Sequence, residues 1–196
     1  MTDLTIVKGK TFARALRWEA PPIVYKPITG VSQTAPAVVS CVGHGVPNGW
    51  RIAVVSVKGM VQINAKNDPP KPKDYVVATV IDANTLELNA VNAADFRQYL
   101  SGGYVQYNTP VDLTGMTARM SIKDKVGGTE LYRLDTTNGR IVIDNAAKTI
   151  TFTISADATA AFTFTKAVYD LEIVSGTVVT LLMYGNVIVT DEVTTT

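Results

Sequence analysis

The chain has 196 residues, 46% of them hydrophobic and 18% charged, a balance that excludes a disordered chain and leaves room for one large or two small cores. A formal net charge of +1 gives no electrostatic footprint for nucleic acid, and one cysteine, Cys41, allows neither an internal disulfide nor a thiolate metal cluster. No apolar run reaches the roughly 20 residues that cross a bilayer as a helix, and Met1-Thr2-Asp3 opens no basic-then-apolar leader, so neither a membrane span nor a signal peptide is expected.

Nearly every patterned segment has period two, the signature of half-buried strands. Leu4 to Val7 and Thr11 to Trp18 read as a first pair joined at Gly9-Lys10, with Phe12, Leu16 and Trp18 on one face. Pro21-Pro22 is expected to end that strand, because proline donates nothing to a ladder. Strands follow at Ala37 to Val42 and Arg51 to Val57, separated by a glycine-rich turn around His44. Lys66 to Lys73 is a stiff, proline-rich loop. Tyr75 to Ile81 and Thr85 to Leu88 flank an Asp-Ala-Asn turn and predict a hairpin, Asn92 to Tyr99 a short helical turn, and Tyr104 to Tyr107 another strand. The run Thr117 to Lys123 alternates cleanly, with Ala118, Met120 and Ile122 on one side. Further strands are predicted over Glu130 to Leu134, Arg140 to Ile143, Thr149 to Ser155, Val168 to Val174 and Val178 to Val189, with a brief helix over Ala156 to Ala161 capped by Ser155 or Asp157. Many short strands with such turns predict a sandwich.

Lys8, Lys10, Arg14, Arg17 and Lys26 make residues 1–30 basic, and the stretch from 109 onward is acid-rich, ending in Asp191 and Glu192. Opposite signs at two ends would favour stacking of subunits, or they are chance variation on solvated faces.

Several motifs occur together. Leu4-Thr5-Ile6-Val7-Lys8-Gly9-Lys10-Thr11-Phe12 leads to Trp18. Val111-Asp112-Leu113-Thr114-Gly115 precedes a strand, Asn138-Gly139-Arg140-Ile141 makes a turn, Thr149 to Ser155 precedes the alanine-rich Ala156 to Ala161, and Tyr169-Asp170-Leu171-Glu172-Ile173 closes the set. This set resembles a domain of phage tail and baseplate proteins, akin to the N-terminal domain of phage upper-baseplate proteins. In simpler members the Trp strand runs almost directly into Val-Asp-Leu-Thr-Gly, so the intervening stretch reads as an insertion. Within it, Ala37-Val38-Val39, His44-Gly45, Gly49, Gly59-Met60, Asn64, Asp82 to Leu86 and Tyr99 to Val105 are similar to the first-catalytic-cysteine half-domain of ubiquitin-activating enzymes. In phage chains that module carries no catalytic cysteine. The resemblance implies an all-β fold: residues 1–30 with 109–196 form a discontinuous immunoglobulin-like β-sandwich, interrupted by a small β-barrel-like module over 31–108.

The side chains that carry chemistry are sparse. His44 is the only histidine and lacks partners for a metal site, and a Cys41–His44 pair has no adjacent orienting acid. Asp112, Asp124, Asp135, Asp144, Asp170 and Glu172 sit in turns and on outer strand faces rather than as two carboxylates flanking one cleft. No catalytic residue, metal or cofactor is therefore expected. Tyr99, Tyr104, Tyr107 and Trp50 suggest either a stacking platform for sugars or the filling of a seam between modules. Pro69, Pro70, Lys71 and Pro72 form a loop of low conformational entropy that either reaches a neighbouring subunit or stands free in solvent. Pro69, Pro70, Lys71, Pro72, Tyr99, Tyr104 and Tyr107 are the candidate contact residues.

The functional expectation is a structural component of a bacteriophage virion: a tail, baseplate or head–tail junction protein. Its partners would be other virion proteins and further copies of itself in a ring, with no nucleic acid and no membrane. A capsid decoration protein and a carbohydrate-binding module that contacts the host surface are the alternatives.

Overall fold

The alternating segments become strands because β-branched and apolar residues at every second position give each a face to bury. The computed structural model describes residues 1–193. In chain order its strands are β1 (Leu4–Val7), β2 (Phe12–Leu16), β3 (Glu19–Pro27), β4 (Gly30–Val31), β5 (Ala37–Ser40), β6 (Trp50–Val55), β7 (Val76–Asp82) and β8 (Thr85–Leu88). They continue as β9 (Tyr104–Pro110), β10 (Thr117–Lys123), β11 (Glu130–Asp135), β12 (Ile141–Asp144), β13 (Thr149–Ile154), β14 (Lys166–Ser175) and β15 (Val178–Thr190), with a short α-helix, α1 (Ala156–Ala160), after β13 and single 3-10 turns at Val61–Ile63 and Pro72–Asp74. The fold is all-β. It divides into two units, Met1–Trp18 with the chain from Asp112 onward, and Glu19–Val111.

The first unit is a sandwich of a five-stranded sheet, β1-β15-β14-β10-β11, and a three-stranded sheet, β12-β13-β2. Ala118, Met120 and Ile122 of β10 are buried, as are Ile150, Phe152 and Ile154 of β13. The two opening segments do not pair with each other. Strand β1 lies parallel to β15, with Leu4 opposite Val187, while β2 lies antiparallel to β13, with Phe12 opposite Ile154. Gly9, at φ +74°, lets the chain turn between sheets, so that two short apolar faces close on one core from opposite sides. Ser155 caps α1 by accepting from the Ala158 N–H at 3.3 Å, and the buried Thr159 hydroxyl donates to the Lys10 carbonyl at 2.8 Å. Where the chain re-enters this unit, Leu113 N–H donates to Asn145 Oδ1 at 2.8 Å.

Part of the charge asymmetry is paired within this unit. Lys8 pairs with Asp191 at 2.9 Å and Lys10 with Glu192 at 2.8 Å, because β1 and β15 run side by side in the same direction.

The second unit is a closed barrel. Its strand order is β3-β9-β6-β7-β8-β5-β4, and β4 follows β3 after only Ile28 and Thr29. Ile28 N–H donates to Gly103 on one side and Thr29 N–H to Ser40 on the other, both at 2.9 Å, so one continuous strand joins the two ends of the sheet. Strand β6 splits likewise, pairing β7 through Trp50–Ile52 and β9 through Ala53–Val55. Closure leaves few free edges. The interior is filled by Trp50, Ile52, Met60, Leu86, Leu88 and Val105 among others.

Two sequence expectations change here. Pro21-Pro22 does not end a strand, since β3 runs through it. The prolines fall where the β3–β9 register shifts, between Ala20 and Ile23, at a bulge that needs no donor from them. Residues 19–30 therefore belong to the barrel and not to the sandwich, because Glu19 to Pro27 pair with Tyr104 to Pro110. The 92–99 segment holds a single turn, closed by Phe96 N–H donating to Ala93 at 3.1 Å.

Candidate functional site

The outer face of the barrel carries a polar cleft of about 440 Å³. Its wall is built by β3 and β9. Tyr25 stands opposite Gln106, and Pro27 opposite Tyr104, so Tyr25, Gln106 and Tyr104 share the outward face. The Tyr25 and Tyr104 rings meet edge to face at 6.2 Å and are 53% and 45% exposed, as few large rings in this chain are. The opposite wall is the start of the proline-rich loop. Ala65 N–H donates to Val54 at 2.7 Å, and Asn64 brackets Val57, accepting from its N–H and donating to its carbonyl at 2.9 and 3.0 Å. Asn67 and Asp68 then line the cleft with Ser56.

The floor is held in place. Gln106, 3% exposed, donates through Nε2 to the Tyr75 hydroxyl at 3.0 Å. The Arg51 guanidinium lies 5.6 Å from the Tyr75 ring centre and binds Glu19 through two hydrogen bonds of 2.6 and 2.7 Å. These bonds to Glu19 are the main reason the Arg51 pKa is raised.

The structure separates the sequence candidates. Tyr104 lines the cleft, but Tyr107 is a correction: it is 3% exposed and donates to the His44 carbonyl at 2.6 Å, so it offers no contact surface. Trp50 is fully buried, and Tyr99 is half-buried with its hydroxyl bonded to the Ile28 and Gly102 carbonyls, so no four-ring platform forms. Pro69, Lys71 and Pro72 are exposed and Pro70 half-buried. Their loop is pinned by Asp74, whose Oδ2 accepts from Lys71 N–H and Asn67 Nδ2, each at 2.8 Å. The Lys71 bond is the first cause that lowers the Asp74 pKa. Tyr25, Asn67, Asp68 and Gln106 are cleft residues that pattern reading missed. The available signal was the apolar-aromatic run Ile23-Val24-Tyr25 after the prolines.

His44 is interior. Its Nδ1 accepts from Val46 N–H at 2.9 Å, which leaves Nε2 as the donor to the Asp82 carbonyl at 2.8 Å. Both nitrogens are thus engaged, and neither faces Cys41 as a base. Burial raises the Cys41 thiol pKa, which disfavours a thiolate. Among the described residues no group of three or more His, Cys, Asp or Glu is placed to hold a metal ion.

The turn carboxylates are structural. Asp144 Oδ1 accepts from the Ala146 and Ala147 N–H groups at 2.9 Å. Asp135 accepts from Asn138 N–H at 2.6 Å and from Arg133, and these bonds hold its carboxyl below the usual range. Asp112 is lowered chiefly by the Thr114 hydroxyl. Because folding lowers these values, their stabilisation is complete above the unfolded pKa of about 3.9 and is lost as pH falls through the lower folded values. Urea midpoints are expected to drop as pH falls below about 4, with a shallower drop in Asp135→Asn. An unchanged slope in that variant would assign the acid sensitivity elsewhere.

A second surface lies on the sandwich. Strand β15 pairs with β14 along Val178–Ile188, but β1 covers its other side only at Val187–Thr190. Thr2 N–H reaches Tyr184 at 2.9 Å, passing over Gly185, where any Cβ would strike the Thr2 backbone. Among the described residues, Val178–Met183 has no strand on that side. The expectation that all of Val178 to Val189 offers an edge is corrected to this half. Residues 173–190 contain no charged side chain, and Val178, Val179 and Leu181 are exposed. The opposite edge, β11, carries Glu130, Arg133 and Asp135. Beside the free half of β15 lies a largely apolar groove lined by Leu16, Arg17, Trp18, Ile150, Leu182 and Met183. Set against known protein families and against curated proteins, the chain gives no match with either.

Proposed function

We propose that the protein is a non-catalytic structural component of a bacteriophage virion, part of its tail, baseplate or head–tail junction, and that it works by subunit assembly. The observation that carries this reading is the unpaired half of β15, Val178–Met183. Soluble proteins protect such edges with charge, proline or cover, because free backbone groups template pairing with another chain. Here the charges are on β11 and missing from β15. A strand from another virion protein, or from a further copy in a ring, would add to this edge and set an apolar side chain in the groove beside Trp18. The motif set from Leu4 to Ile173 that resembles upper-baseplate proteins, with an immunoglobulin-like sandwich as its fold, supports the virion as the site of action, with assembly in the bacterial cytoplasm.

Mass spectrometry of purified particles is expected to find the chain at fixed stoichiometry. With Leu181→Lys, which places an ammonium on the edge, incorporation is expected to fall roughly tenfold or more while the soluble protein keeps its melting temperature. A chain missing from the particles would overturn the virion reading, and undiminished incorporation of the variant would overturn the role of the edge.

A further inference from the structure

The cleft on the barrel combines features that a structural surface does not need. Unlike Tyr75, Tyr99, Tyr107 and Tyr169, which use their hydroxyls within the chain, and like Tyr132 and Tyr184, Tyr25 and Tyr104 make no hydroxyl hydrogen bond among the described residues. Instead their rings stand half-exposed, edge to face, at the mouth of a cleft whose volume of about 440 Å³ suits a small molecule. Asp68 makes no ion pair or hydrogen bond among the described residues, and it lines the same cleft. Asn67 spends an amide N–H on Asp74, and Gln106 is fixed below by Tyr75, so the amide groups are oriented before any ligand arrives.

We propose that this cleft binds a neutral pyranose sugar. The apolar C–H face of the ring would stack on Tyr104 or Tyr25, while adjacent hydroxyls donate to Asp68 and to the amide oxygens. No lysine, arginine or histidine lines the cleft, which disfavours phosphorylated, sulfated or carboxylated sugars, since Asp68 would repel them. A quaternary ammonium is the other ligand that aromatic rings and a carboxylate attract. It fits less well. The two rings meet edge to face instead of enclosing a cation, and Ser56 and Asn67 would lose water without gaining a partner. The inference is independent of where the protein is assembled.

The test is saturation-transfer NMR on the full chain with the methyl pyranosides of glucose, galactose, mannose and N-acetylglucosamine, and with tetramethylammonium as the competing cation. At least one pyranoside is expected to bind with millimolar affinity. Tyr104→Ala is expected to weaken it about tenfold or more, Tyr104→Phe less than about threefold, and Asp68→Asn about fivefold, all with unchanged melting. Three results would overturn the proposal: no transfer to any of the four sugars, sugar binding that survives Tyr104→Ala in folded protein, or preferred binding of tetramethylammonium.

Discussion

Phe152→Ala is expected to destabilise the sandwich unit by about 3–5 kcal/mol, a large share of the roughly 5–15 kcal/mol of a typical domain. Phe152 is fully buried in β13, the central strand of its sheet, opposite Ile141 of β12 and Arg14 of β2. Its ring centre lies 6.1 Å from that of Phe12. Removing it deletes a large transfer term and leaves a cavity that two flanking strands cannot close without breaking register. Hydrogen exchange read by mass spectrometry should show faster exchange in β2, β12 and β13, while peptides of β5, β6 and β8 keep their protection. Equal loss of protection in the barrel peptides would mean that the two units do not hold separate cores.

The second large effect concerns excision. Residues 19–111, expressed alone, are expected to fold into the barrel. The remainder, with Trp18 joined to Asp112 by a linker of about four residues, should keep the sandwich within about 1 kcal/mol. The reason is the register at the barrel mouth. Glu19 is the direct partner of Pro110, so the chain leaves and returns across a single strand pair, about 5 Å apart. A short linker spans that gap, and closure entropy changes by only about 0.6 kcal/mol for each doubling of loop length. The barrel carries its own core around Trp50 and closes its own sheet. Circular dichroism and one-dimensional NMR on both pieces would check this. An unfolded 19–111 fragment would show that the barrel depends on the sandwich.

The strands of the sandwich were legible because period two survives wherever one face is buried, as at Met120 and Phe152. Their partners were not. Adjacency in sequence suggested that Leu4 to Val7 and Thr11 to Trp18 pair, yet the apolar face of each is used best in opposite sheets, a choice made by the whole core. Strand β3 was hidden by a local rule, since Pro21-Pro22 forbids regular pairing but not a bulge. That omission also hid Tyr25, and with it half of the cleft. The separation of Tyr104 from Tyr107 was in the sequence all along. Three residues apart on a strand, they point to opposite faces, one to the cleft and one to His44. The roles of Asp68 and Gln106 were not legible, because they depend on a loop folding back over a strand far from it in sequence.

The parallel pairing of β1 with β15 also sets an order of events during synthesis. Leu4 leaves the ribosome long before its strand partner, Val187, has been made. The barrel has all its strands once Pro110 has emerged. The inner unit can therefore fold while the outer one still waits, its β1 and β2 held as unpaired apolar segments until the rest of the chain arrives. Strands β1 and β2 are thus made before the barrel and find their places after it.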